Sequence, residues 1–92
     1  MHTVVVRSTI HDPEHATAFL REQAIPRFRE ASGFVAGQWV RLEGGKGTAM
    51  ITFDSEEDAR AAMEMLRSNL PPAEAVTIDS VDVGEVVERI DR

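Results

Sequence analysis

The chain has 92 residues, a formal net charge of −6 and no cysteine. That length predicts one domain over residues 1–92. The acidity argues against nucleic-acid partners, whose affinity rests on neutralising phosphates with Lys and Arg, and the missing cysteines exclude disulfides and thiolate metal sites. A disulfide-free chain fits a cytoplasmic protein. No apolar run approaches the ~18 residues that would suggest a membrane span. The start, MHTVVVRSTI, has neither a basic leader nor a cleavage pattern and reads as mature structure. A chain this short buries only ~60–65% of its unfolded surface, so oligomerisation is the expected reinforcement.

TVVVRSTI, rich in β-branched residues, predicts the first strand. Asp12 then caps a helix whose first position is Pro13, where a missing N–H costs nothing. Ala16, Phe19, Leu20, Gln23, Ala24 and Phe28 keep helical spacing. Pro26 lies inside this pattern and must kink or split the helix near Ile25. Gly33 supplies the left-handed stop. FVAGQWVRLE predicts the second strand, GGKG a turn and TAMITF the third strand. Ser55 caps the next helix, with Asp58 three residues on, and Ala59, Ala62, Met63 and Leu66 form its buried stripe. Asn69 and LPP end it. AVTIDSVDVGEVVERI predicts the last strand, with a change of phase near Asp79–Ser80 that suggests a bulge. At ~3.3 Å per residue, Ala75 to Ile90 would extend ~50 Å, too long for ordinary partner strands. With Gly84 as a bend, EVVERI is expected either to pair with a neighbour's edge or to form a short terminal helix. The order β-α-β-β-α-β is the α+β, ferredoxin-like arrangement with a four-stranded antiparallel sheet.

Alternation in the strands divides the sheet into two faces. Phe53, Ile51 and Ala49, with Val4 and Val6, are assigned beneath the helices. Val5, Arg7 and Met50 then point away. An even hairpin loop, such as Gly44–Gly45, would place Trp39 and Arg41 beside Met50 and Thr48; an odd loop would reverse this. On the even reading the face away from the helices carries Val5, Val35, Trp39 and Met50 among arginines and threonines. Such a contiguous apolar patch marks an interaction site.

GFVAGQW, the glycine-rich hairpin, TFDSEEDARAAM and VTIDSVDVGEVVERI together resemble the dimeric α/β-barrel superfamily, which includes antibiotic-biosynthesis-monooxygenase-like proteins. The resemblance covers nearly the whole chain. It implies a homodimer whose sheets face each other across a cavity. It also implies a small apolar or aromatic ligand, and for some members oxygenase activity without a cofactor. Active members use Trp, Asn, His or Tyr near the substrate. Here only Trp39 fits by type and strand position: Tyr is absent, Asn69 falls at a helix end, and His2 is the only strand histidine. The candidate ligand site is therefore Val5, Arg7, Trp39, Arg41 and Met50, with no cofactor, no metal and no assigned catalytic residue.

Three other patterns weigh less. KGTAMITF is similar to the third-strand signature of RNA-recognition domains, but Thr48 and Met50 replace the two aromatics that would stack on bases, each worth ~1–3 kcal/mol. GGKGT lacks the spacing of a phosphate loop and joins two strands rather than entering a helix. His11 and His15 are four apart, but His11 precedes the helix and no third ligand is evident. Trp39 is expected in the core or at a ligand. Arg7 and Arg41 need a counter-charge, Glu43 or an anionic ligand, unless they reach water at the rim. The chain is thus read either as a small-molecule binder with monooxygenase-like potential or as a non-catalytic dimerisation module. The want of a convincing acid–base pair favours a role without catalysis.

Overall fold

The computed structural model describes residues 1–92. It contains β1 (His2–Ile10), α1 (Pro13–Phe19), a π-helical turn (Leu20–Ala24), α2 (Ile25–Glu30), β2 (Phe34–Leu42), a short 3-10 turn (Glu43–Gly45), β3 (Lys46–Phe53), α3 (Glu56–Ser68) and β4 (Val76–Glu85). The strands form one sheet in the order β2-β3-β1-β4, and all neighbours are antiparallel. No helix is long and apolar enough to cross a membrane.

The local signals act as their chemistry requires. The Asp12 carboxylate accepts the His15 N–H at 3.2 Å, and the Ser55 hydroxyl accepts the Asp58 N–H at 3.1 Å; each satisfies a donor left free at a helix start. Pro26 has no N–H, and its ring crowds the carbonyl four residues back. The helix responds by widening rather than breaking: Ile25 donates to the Leu20 carbonyl, one residue further back than in an α-helix. This π turn divides the first helical arm into α1 and α2.

The core lies between the helices and one sheet face. Val4, Ile51 and Phe53 are fully buried there, with Val6, Ala49 and Phe28 around them. Full burial of each large side chain contributes roughly 1.5–3 kcal/mol. α3 lies close along β1, β3 and β4 because Ala59 and Ala62 present no bulk. The first arm reaches the sheet mainly through α2, while α1 stands further off. The two helical arms therefore cover the same face unequally.

Two strand expectations change. The β2–β3 connection holds three residues, Glu43, Gly44 and Gly45, between the paired Leu42 and Lys46. Gly44 and Gly45 both take φ near +73°, a conformation open to glycine at little cost. The odd loop sets Trp39 opposite Ala49 and Arg41 opposite Gly47. Both belong to the helix-side face, not to the face of Met50 and Thr48. The last strand also ends earlier than its apolar run suggests. The bulge falls where expected: pairing shifts between Arg7 and Ser8 and skips Asp79. The strand itself stops at Glu85. Val86 donates to the Met1 carbonyl at 3.0 Å, and residues 86–92 form neither strand nor helix. This tail turns over the outer face of the sheet and flanks Ala36, Gln38, Met50 and Thr52.

Candidate functional site

A cavity of about 380 Å³ lies in the gap that the unequal helix packing leaves. Its floor is the helix-side face at one end of the sheet, from Val6 to Ile10 of β1, Trp39 to Arg41 of β2 and Gly47 to Ala49 of β3. Its roof is the first helical arm, including Phe19 and Leu20 at the π turn. Leu66 and Pro71 close the side toward α3. The volume falls in the range of small-molecule sites and would hold roughly a dozen waters at ~30 Å³ each. Fourteen of the 21 lining residues are hydrophobic, so an apolar occupant suits it better than water.

Small residues open this space from below. Gly47 carries no side chain where a Cβ would stand 2.8 Å from the Ser8 hydroxyl and 3.0 Å from Ile10. Ala16, Ala24 and Ala49 are buried on the wall without filling it. Trp39 is half-buried and lies against Phe28, with ring centroids 6.0 Å apart and planes at 46°. Such a tilted pair adds ~0.5–1.5 kcal/mol to its area burial. Gly37 shares the Trp39 face and gives the indole room: a Cβ there would lie 3.1 Å from its ring edge.

Arg41 extends from the end of β2 toward α1 and donates to the Thr17 hydroxyl at 3.2 Å. It does not pair with Glu43. Arg21 is the second charged residue on the wall. Ser8, Thr17 and Thr48 supply hydroxyls. The lining includes no carboxylate and no imidazole.

The five residues expected to share one site therefore separate. Trp39 and Arg41 come together on the helix-side cavity. Val5, Arg7 and Met50 lie on the opposite face, where Val5 sits between Met50 and Asp82. Arg7 is exposed there and makes no ion pair. The grouping failed because one residue more in the hairpin loop exchanges the faces of β2. The outer face stays apolar without the indole, since Val40, Leu42 and Met50 are each more than 40% exposed on it.

The cavity residues Phe19, Leu20, Arg21, Thr17 and Phe28 were missed as a group. The helical stripe and Pro26 were their signal: a widened turn over a sheet with Gly47 and Ala49 beneath leaves space. His2 is at the far end of β1 from the cavity, paired with Phe53 and Glu85. His11 meets the Thr77 hydroxyl at 2.8 Å, and no cluster of three or more His, Asp or Glu side chains is arranged to hold a metal ion.

The chain superposes over its full length on two crystal structures. HapK from Hahella chejuensis matches with a TM-score of 0.69 at 12% identity, over 98% of that chain. A dimeric ferredoxin-like protein from an uncultured marine organism matches with a TM-score of 0.63 at 14% identity, over its whole length. The fold is ferredoxin-like. At such low identity the likeness carries the ferredoxin-like architecture and nothing of the site chemistry. No protein-family model and no curated protein matches the chain by sequence.

Proposed function

We propose that this protein binds a small apolar or aromatic molecule in the helix-side cavity, with Trp39 as a flat wall. The observation that carries this reading is the cavity itself: about 380 Å³, mostly apolar, with a few hydroxyls and arginines converging on it. Binding is preferred to catalysis because no carboxylate or imidazole lines the space to move a proton. A monooxygenase-like reaction rests only on the family resemblance and on Trp39. Titration with 1-naphthol, followed by thermal shift, tests the binding reading. Saturable stabilisation of the folded state is expected. Its absence for 1-naphthol and for aliphatic probes of similar size would remove the cavity as a site.

We infer further that the protein works as a homodimer through the outer sheet face. Exposed Val40, Leu42 and Met50 support this, together with Val87 and Ile90 on the tail that crosses the same face. Apolar side chains gathered on one side of a sheet favour coverage by a partner surface. One of the structural neighbours is itself described as dimeric. Light scattering of the purified chain at micromolar concentration should give twice the monomer mass; a monodisperse monomer would refute it.

A further inference from the structure

The cavity has a charge character opposite to that of the whole molecule. The chain carries 16 acidic and ten basic residues. Yet the only charged side chains on the cavity wall are Arg21, from the π turn, and Arg41, from β2. Neither belongs to an ion pair; the four pairs of the molecule use Lys46, Arg60, Arg67 and Arg89. Arg60 and Arg67 bind glutamates on their own helix, so acidic partners are plentiful elsewhere on the surface. The charged side chains of the wall itself are thus both cationic, against a net −6 for the whole chain.

Arg41 is also held in place. Its bond to the Thr17 hydroxyl spans from the end of β2 to α1. A guanidinium has five N–H donors, and this contact uses one. The others have no protein acceptor. A pre-positioned planar fork with free donors fits the two oxygens of a carboxylate or a similar acid. The rest of the wall is mostly apolar, with Phe19, Leu20, Phe28 and Trp39, and its other polar side chains, Ser8, Thr17 and Thr48, are uncharged hydroxyls.

We propose that the ligand of this cavity is an amphipathic anion: an apolar chain or ring system that ends in a carboxylate or comparable acid. Its body lies against Trp39 and Phe28, and its acid is bound by Arg41 and Arg21. This inference rests on the small-molecule reading above and adds the ligand's charge to it.

The test compares octanoate with 1-octanol, two probes of the same size that differ in charge. The fluorescence of Trp39, the only tryptophan, reports occupancy. Octanoate should bind at least ten-fold more tightly than 1-octanol, and its affinity should fall as salt is raised. Arg41→Gln and Arg21→Gln should each weaken octanoate several-fold and leave 1-octanol within two-fold. Arg41→Lys keeps the charge without the fork and should recover part of the loss, which a merely structural role for Arg41 would not give. Equal affinity for the two probes in the native chain would overturn the anion and leave the cavity standing. No saturable signal from octanoate, 1-octanol or 1-naphthol would overturn both.

Discussion

Filling the cavity separates a functional void from an imperfect core. Ala16 is buried on α1 and faces the space. Replacing it with leucine adds three carbon atoms to the wall. At ~0.8 kcal/mol per buried CH₂, complete burial would contribute about 2.4 kcal/mol. Ordering a leucine side chain costs ~0.5–1 kcal/mol, and the cavity is partly open to solvent, so some of the added surface stays wet. The net expectation is stabilisation of about 1 kcal/mol. For a domain of this size that raises the melting temperature by roughly 4–8 °C. Ligand affinity should fall at least ten-fold in the same variant, because the added group occupies the site. Thermal unfolding by circular dichroism and the Trp39 titration read the two effects on one sample. In a closed, well-packed core the same substitution would cost ~1–3 kcal/mol through overpacking. A melting temperature lowered by 5 °C or more would therefore refute the cavity.

Trp39→Ala should lower stability by roughly 2 kcal/mol, less than the ~3–5 kcal/mol of a fully buried aromatic, because the indole is half-buried beside a void; ligand binding should be lost, and chemical denaturation with isothermal titration separates the two. Leu42→Glu with Met50→Glu places like charges on the outer face, away from the cavity lining, and should convert the dimer to monomer in light scattering, while octanoate binding changes less than two-fold. Gly33→Ala combines φ +74° with a Cβ that would fall against the Asp58 carboxylate. It should destabilise the fold by ~1–3 kcal/mol, visible as a lower denaturation midpoint with unchanged slope.

The element order was legible because each boundary carries a local chemical signal. Asp12–Pro13, Pro26 and Ser55 act within a few residues of themselves, and the structure places a cap, a π turn and a cap at those points; Gly33 does take a positive φ, but in the turn into β2, because α2 already ends at Glu30 with Ala31 extended. The bulge at Asp79 was visible as a change of alternation phase. The site was harder to read, since it depends on a parity: one residue in the Glu43–Gly45 turn decides which side of the sheet Trp39 and Arg41 join. Gly37, two residues before Trp39 and thus on the same face, was a sign that a large ring would fold over that strand, but it gives the same sign for either face. The cavity itself arises from a difference in packing distance between two helical arms, which no periodicity encodes. The tail misled for a related reason. Val83, Val87 and Ile90 suggest a continuing strand, yet the pairing with β1 ends at His2 and Glu85, and the chain then turns over the outer face of the sheet.

The ligand is expected to lie between the sheet and the first helical arm. A ¹H–¹⁵N correlation spectrum recorded through a titration with octanoate tests this directly, since the single tryptophan gives one indole N–H resonance. Saturable shifts are expected at that indole and at the amides of Thr17, Leu20, Arg41 and Gly47, with Val5, Arg7 and Met50 nearly unmoved. Shifts gathered at Val5, Arg7 and Met50, with the indole still, would place the ligand on the outer face and contradict the account.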